Sequence, residues 1–132
     1  MKALILAGGR GTRLRPITHT LNKHLIPLAG KPMLEHVIEN VVNIGIRDIV
    51  INLNAGDQEI PALFGNGGTW GCTIQYIEQK TPNGMMYPIL LARSILADEP
   101  FVLIAGDNVL SGGLQRYHDE FLKNGSAAHL LV

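Results

Sequence analysis

The 132-residue sequence has a single cysteine, few aromatic residues and no excess of charge of either sign. Cys72 therefore has no partner for an internal disulfide, so the chain is not one of the small secreted folds that depend on such bonds. Its 11 basic and 11 acidic residues give a formal net charge of zero, which excludes the broad basic surface of non-specific nucleic-acid binders. We therefore expect a protein that binds no nucleic acid.

The sequence also lacks an apolar run long enough to cross a bilayer, although 46% of its residues are hydrophobic. Its first residues run straight into a predicted strand, without the charged and then apolar leader of a secreted protein. With the lone cysteine, these absences predict a cytoplasmic protein with no membrane contact. Length and hydrophobic fraction predict one domain over residues 1–132 with a buried core.

Short apolar runs typical of buried strands alternate with helical patterns, and the strands are predicted over residues 2–7, 47–53, 72–78, 101–105 and 127–132. Helices are predicted over residues 33–44, 58–64, 85–96 and 114–124. The helix over 85–96 is apolar on most of its surface, so we expect it to be largely buried. The alternation predicts an α/β fold, a Rossmann-like three-layer sandwich with a mostly parallel sheet. Ligands of such sheets bind at the carboxyl ends of the strands, where the strand order reverses.

The most distinctive stretch, Leu-Ala-Gly-Gly-Arg-Gly-Thr-Arg-Leu, occupies residues 6–14, directly after the first predicted strand. Gly8, Gly9 and Gly11 lack the side chains that would keep a polyphosphate away from backbone N–H groups. The cations that could neutralise its phosphates are Arg10, Arg13, Arg15 and Lys23. The stretch predicts a nucleotide phosphate site, and the alternative is a glycine-rich turn with solvated arginines.

The spacing of this loop fits neither of two well-known phosphate-binding patterns. The dinucleotide fingerprint needs a third glycine where Leu14 stands. The phosphate loop of nucleoside triphosphatases needs Gly-Lys-Ser/Thr, whereas Gly11 is followed by Thr12 and Arg13. The second mismatch weakens the hypothesis of a phosphate-loop hydrolase.

Two motifs together resemble the signature of the sugar nucleotidyltransferases: Gly-x-Gly-Thr-Arg-Leu at residues 9–14 and Lys-x-Leu-x-Pro at residues 23–27. The similarity extends over nearly the whole chain and is closest to the glucose-1-phosphate thymidylyltransferases. It includes residues 31–33, 45–47 and 78–79, Gly84 and residues 106–108. The resemblance implies nucleotidyl transfer from dTTP or UTP to glucose 1-phosphate, with release of pyrophosphate and Mg²⁺ as cofactor.

The resemblance also implies roles for individual residues. Arg13 and Lys23 would be catalytic, Arg13 stabilising the pyrophosphate and Lys23 holding the reacting phosphates. Asp107 would bind Mg²⁺, although taken alone it could instead cap the turn that follows its strand. Gln79 and Gly84 would read the edge of the base. The implied nucleotide-binding residues are Leu6, Ala7, Gly8, Gly9, Gly11, Thr12, Arg13, Gln79 and Gly84.

Two departures from the family pattern leave the function open between an enzyme and a non-catalytic nucleotide-binding or assembly module. Residues 84–88 are Gly-Met-Met-Tyr-Pro where the family has small residues, and these larger side chains either alter base recognition or only fill core space. The family also continues well past Val132, so the fold is truncated relative to it. An open edge on the last predicted strand would favour a homo-oligomer.

Other reactive side chains give weaker signals. The five histidines show no paired metal-ligand spacing, and only His24, inside the second motif, could touch phosphate or sugar. Cys72 is expected to be a buried, unreactive thiol. Trp70 is expected to serve in packing, and stacking on a base is the alternative.

Overall fold

The fold is described from a computed structural model, which covers residues 1–9, 22–81, 84–125 and 127–128. Its strands are β1 (Lys2–Leu6), β2 (Pro27–Leu28), β3 (Lys31–Pro32), β4 (Asp48–Asn54), β5 (Thr73–Gln79) and β6 (Phe101–Ala105). Its α-helices are α1 (Met33–Asn43), α2 (Glu59–Phe64), α3 (Met86–Leu96) and α4 (Gln115–Asn124). Four of these strands form a parallel sheet in the order β5-β4-β1-β6, and β2 pairs with β3 in a small antiparallel hairpin. The predicted α/β class is confirmed.

Helices cover both faces of the sheet, so the predicted three-layer arrangement is also confirmed. Because side chains alternate along a strand, Ala3 and Ile5 of β1 join the larger core with α1 and α2. Leu4 lies on the opposite face, in a smaller core with Val50 and Ala92 that α3 completes. Burial on both faces explains why β1 is apolar from Ala3 to Leu6.

The strand order reverses between β1 and β6. The chain moves outward from β1 to β4 and then to β5, and it returns beside β1 to form β6. Leu6, at the end of β1, is paired with Asn52 on one side and Ala105 on the other. The point at which this fold class binds ligands therefore lies just beyond Leu6.

The prediction that the helix over residues 85–96 is largely buried is wrong. Only Pro88, Ala92 and Leu96 of α3 are buried, whereas Met86 is 69% and Leu90 67% exposed. Only one stripe of the helix contacts the sheet. An apolar composition allows a helix to be buried, but the neighbouring elements determine how much of its surface is covered. Met86 therefore does not fill core space.

Two remaining expectations concern the chain end and membranes. The strand predicted over residues 127–132 lies mostly outside the described residues, and the two that are described, Ala127 and Ala128, are not in a strand. Among the helices of the described ranges, none has the length and apolar character needed to span a membrane.

Candidate functional site

The carboxyl edge of the sheet brings together segments that are far apart in the sequence. Backbone pairing continues past the strands: the Ala7 N–H donates to the Asn52 carbonyl at 2.8 Å, and the Gly106 N–H donates to the Leu6 carbonyl at 2.9 Å. The glycine turn after β1 is therefore held between the ends of β4 and β6. Leu6 is the last residue of β1, and Ala7, Gly8 and Gly9 follow it, while the predicted site residues Gly11, Thr12 and Arg13 lie outside the described residues.

Gly8 lies against two amide side chains with no room for a side chain of its own. A Cβ at this position would come within 2.4 Å of Gln79 Nε2 and 2.7 Å of Asn52 Nδ2. Gln79 Nε2 donates a hydrogen bond to the Gly8 carbonyl at 3.2 Å. Gln79, one of the residues predicted to read the base, thus holds the glycine turn directly. Gly84, its predicted companion, is exposed, has a φ of 78° and precedes α3.

Gly9 lies beside an ion pair between the two predicted charged residues. Lys23 Nζ donates to Asp107 Oδ2 at 2.7 Å, and a Cβ on Gly9 would lie 3.1 Å from that same ammonium nitrogen. Burial acts to raise the pKa of Asp107, but the hydrogen bond and positive charge of Lys23 outweigh it, so the pKa lies below its usual value. The carboxylate is ionised at neutral pH. A cation and an anion thus meet at the glycine turn, where the strand order reverses.

Asp107 meets the requirements of a Mg²⁺ ligand when phosphates supply the rest of the shell. No cluster of three or more His, Cys, Asp or Glu side chains that could hold a metal occurs in the described part of the chain. Mg²⁺ commonly takes only one or two carboxylates together with phosphate oxygens and water. A single ionised carboxylate fits that mode of binding, and it does not fit an all-protein metal cage.

Lys23 is positioned by a hydrogen-bond network that the sequence did not reveal. Asn22 Nδ2 donates to Asp57 Oδ2 at 2.7 Å, and Asp57 Oδ1 accepts from the backbone N–H groups of Glu59 and Ile60 at the start of α2. Asn22 Oδ1 in turn accepts from the His24 N–H at 3.1 Å. Asn22 therefore anchors the turn that carries Lys23 to the loop after β4. Asn22 accepts from the backbone N–H of the residue two positions later, and this spacing is the local sequence signal that could have indicated the turn.

His24 is fully buried and does not present a cation to phosphate. Its Nδ1 lies 3.0 Å from Asn22 Oδ1, which only accepts, so Nδ1 carries the hydrogen. Its Cδ2 atom would be 3.0 Å from a Cβ on Gly106, which places the ring beneath the strand end that leads to Asp107. Burial, and then the charge of Lys23, lowers the pKa of His24 to about 4. The ring is therefore neutral at pH 7 and serves as packing.

This buried ring predicts a loss of stability in acid. The pKa of His24 is about 4 in the folded protein, whereas an ordinary histidine has a pKa of 6.5, so the unfolded chain binds the proton more tightly. The stability that depends on this ring staying neutral is fully present above pH 6.5 and is lost as the pH falls toward 4. The loss amounts to about 3 kcal/mol in the free energy of unfolding. Urea unfolding of wild type and His24→Gln at several pH values measures it.

We expect His24→Gln to have a flatter dependence on pH between 6.5 and 4 than the wild type. His36→Gln is the matched control for the loss of a histidine, because His36 contacts the Leu28 carbonyl at the protein surface. Equal slopes for wild type and His24→Gln would show that another group controls the acid response.

Cys72 and Trp70 have structural roles, as expected. Burial raises the pKa of the Cys72 thiol, and its Sγ lies 3.5 Å from the Gly67 carbonyl. The Trp70 ring packs on Phe64 with ring centres 5.3 Å apart. Neither side chain contributes a reactive group to the carboxyl edge.

A parallel sheet that reverses its strand order at a glycine turn, with a lysine and an aspartate paired there, defines a Rossmann-like α/β protein whose candidate ligand site is the carboxyl edge of the sheet. Comparison with known families makes this class more specific. The family model described as Nucleotidyl transferase matches residues 2–132, and the chain belongs to that family.

Two curated proteins that are similar to this chain are both named glucose-1-phosphate thymidylyltransferase. The glucose-1-phosphate thymidylyltransferase of Streptomyces antibioticus is 45% identical over 114 residues, which are 86% of this chain and 32% of that protein. The protein of the same name from Streptomyces griseus is 41% identical over 132 residues, which are 100% of this chain and 37% of that protein. This chain therefore spans about a third of the length of the curated relatives it matches.

Solved structures agree with the fold. A Bacillus anthracis protein described as a glucose-1-phosphate thymidylyltransferase, solved with sucrose, has a TM-score of 0.88 at 33% identity and matches 93% of this chain and 50% of its own. A UDP-glucose pyrophosphorylase complexed with UDP-glucose has a TM-score of 0.75 at 22% identity and matches 94% of this chain and 54% of its own. The second likeness concerns the fold alone.

Proposed function

We propose that the chain is the nucleotide-binding part of a sugar-1-phosphate nucleotidyltransferase, which transfers a nucleotidyl group from dTTP or UTP to glucose 1-phosphate. The observation that carries this proposal is the Lys23–Asp107 pair beside Gly9, at the point where the strand order reverses. Two similar relatives named glucose-1-phosphate thymidylyltransferase support glucose 1-phosphate and a thymidine nucleotide as substrates. Residues 1–132 then form one domain, the N-terminal portion of a longer fold.

In the proposed reaction, an oxygen of the sugar phosphate forms a bond to the α-phosphorus of the nucleotide. The bond from that phosphorus to the oxygen bridging the α- and β-phosphates breaks, and its electron pair leaves with pyrophosphate. Protein groups need only position and neutralise these phosphates, since they do not bond covalently to them. The backbone of Gly8, Gly9 and Gly11 approaches the triphosphate, Lys23 holds the reacting phosphates, and Arg13 stabilises the leaving pyrophosphate.

Asp107 is the residue that would hold Mg²⁺ in this site. When bound, the ion supplies Lewis-acid stabilisation of the charge that builds on the phosphate oxygens. In the free protein, the Lys23 ammonium forms a hydrogen-bonded ion pair with the Asp107 carboxylate. Binding of a phosphate group gives that ammonium a second anionic partner, and the carboxylate then becomes available to a cation.

A second candidate function is a non-catalytic nucleotide-binding or assembly module, and it is favoured by an apolar edge of the sheet. In the described part of the sheet, β6 is an edge strand, and its side chains Phe101 and Leu103 are 36% and 41% exposed. An apolar edge of this kind is suited to self-association, so we include a homo-oligomer in the proposal. The single, buried cysteine fits a reducing compartment, and the proposed location is the cytoplasm.

The test is pyrophosphate release from dTTP and UTP with glucose 1-phosphate and Mg²⁺, for wild type and Arg13→Ala. We expect Arg13→Ala to lower turnover at least about tenfold, which corresponds to a loss of about 1.4 kcal/mol of charge stabilisation. Arg93→Ala is the control, because Arg93 lies on the exposed side of α3. Nucleotide binding without any release would support the non-catalytic module, and equal turnover in both variants would remove Arg13 from the mechanism.

A further inference from the structure

Asp57 uses both oxygens of its carboxylate for hydrogen bonds within the chain. Oδ1 accepts from the backbone N–H groups of Glu59 and Ile60, at 3.1 Å and 3.3 Å, and so caps the start of α2. Oδ2 accepts from Asn22 Nδ2 at 2.7 Å, across 35 positions of sequence. Capping needs a single side-chain oxygen, which a serine would also supply. The second oxygen therefore serves the contact with Asn22.

The loop that carries Asp57 is itself fixed to the carboxyl edge of the sheet. The Asp57 N–H donates to the carbonyl of Asn54, the last residue of β4, at 3.1 Å. The Ala55 N–H donates to the carbonyl of Gln79, the last residue of β5, at 3.0 Å. Asn22 is thus held by a carboxylate whose own position is determined by the ends of two strands.

Asn22 transmits this position to Lys23. Its Oδ1 accepts from the backbone N–H of His24 at 3.1 Å, so the residues on both sides of Lys23 are fixed. The Lys23 side chain then reaches Asp107 Oδ2 at 2.7 Å, and a Cβ on Gly9 would lie 3.1 Å from its Nζ. Because a lysine stem is long and flexible, the place of its ammonium depends on how firmly its backbone is held.

We propose that Asp57 is a positioning residue for the phosphate site: by holding Asn22, it keeps the Lys23 ammonium beside Gly9, where that ammonium meets the triphosphate. The inference rests on the proposed function and adds a residue that acts only through Lys23. A cation that is already in place for its anion loses little freedom on association, so it contributes more to affinity. When the turn is released, the ammonium moves and the phosphates lose a fixed donor.

Asp57→Asn tests this role by changing one atom of the contact. Its remaining oxygen still caps α2, but the amide nitrogen that replaces Oδ2 faces Asn22 Nδ2, and two donors cannot bond to each other. Calorimetric titration with dTTP and Mg²⁺ is expected to show binding about tenfold weaker than that of wild type. Asp119→Asn is the matched control and should bind as wild type does, because Asp119 also accepts from a side-chain amide, that of Gln115 on α4, at 2.9 Å.

The same substitution in Lys23→Met separates positioning from a structural role. The ammonium is absent from this background, so Asp57→Asn should weaken binding there by less than about twofold. A general defect of the fold would weaken binding equally in both backgrounds, and that result would overturn the inference. Should Asp57→Asn fail to fold, Asp57→Ser takes its place, since a serine caps α2 but is too short to reach Asn22.

Exchange of the two side chains provides a rescue. Asn22→Asp alone places two carboxylates against each other and should also weaken binding. In the double variant Asn22→Asp/Asp57→Asn, donor and acceptor are reversed, the hydrogen bond forms again, and the net charge equals that of wild type. Its affinity should return to within about threefold of wild type. A double variant that binds no more tightly than the single variants would count against the role of Asp57.

The failure of this inference can be distinguished from the failure of the proposed function. Triphosphate binding by the wild type that Asp57→Asn leaves unchanged overturns only the role of Asp57. Absence of triphosphate binding by the wild type overturns the proposed function together with this inference.

Discussion

Gly8→Ala is expected to weaken nucleoside triphosphate binding by about thirtyfold, corresponding to about 2 kcal/mol of binding free energy. The added Cβ would lie 2.4 Å from Gln79 Nε2 and 2.7 Å from Asn52 Nδ2, so both amides must move. Movement of Gln79 breaks its hydrogen bond to the Gly8 carbonyl and displaces the turn that follows. The same overpacking should lower the free energy of unfolding by about 1–3 kcal/mol. Calorimetric titration with dTTP and Mg²⁺, alongside urea unfolding, measures both effects.

The control for this substitution is Gly112→Ala. A Cβ on Gly112 has nothing within 4 Å, and its φ lies outside the positive range that disfavours alanine. It should therefore leave both affinity and stability nearly unchanged. Similar affinities for Gly8→Ala and Gly112→Ala would show that the turn at Gly8 is not part of the nucleotide site.

Lys23→Met is expected to lower turnover and to raise the affinity for a divalent cation. Turnover should fall at least about a hundredfold, the scale for removing one fixed donor from a developing phosphate charge. Binding of Mn²⁺ without nucleotide should instead become tighter, because the Asp107 carboxylate is no longer occupied by the ammonium at 2.7 Å. Electron paramagnetic resonance of Mn²⁺ reports the second effect independently of turnover.

Lys31→Met provides the matched control, because Lys31 forms an ion pair of its own with Glu39 on a more exposed surface. It should alter neither turnover nor Mn²⁺ binding. An unchanged Mn²⁺ affinity in Lys23→Met would mean that Asp107 is not the residue that holds the cation, whatever happens to turnover.

The sequence predicted that these segments meet at one edge of the sheet, because the topology of a parallel sheet follows from its alternating pattern. Gly8, Gln79 and Asp107 each follow a predicted strand, and the carboxyl ends of parallel strands share one edge. The direct pairing of Lys23 with Asp107 was not predictable, because these residues are 84 positions apart and only the return of β6 beside β1 brings them together.

Asn52 and Asn22 show what local patterns leave out. In the sequence, Asn52 is one polar residue in an apolar strand, and only the packed sheet shows that its amide is buried against Gly8. In the sequence, Asn22 likewise looks like an ordinary loop residue, and only the structure shows that its Nδ2 donates to Asp57 Oδ2 at 2.7 Å. The sequence does not predict the exposure of Leu90 for a related reason: the hydrophobic pattern of a helix does not show how many neighbouring elements cover it.

The most direct test of the account is a titration of the isotopically labelled chain with dTTP and Mg²⁺, followed by the chemical shifts of its backbone amides. We expect the largest changes to fall on the carboxyl edge of the sheet, at Gly8, Gly9, Gln79 and Asp107. Largest changes on a distant element such as α4, or no changes at saturating nucleotide, would contradict it.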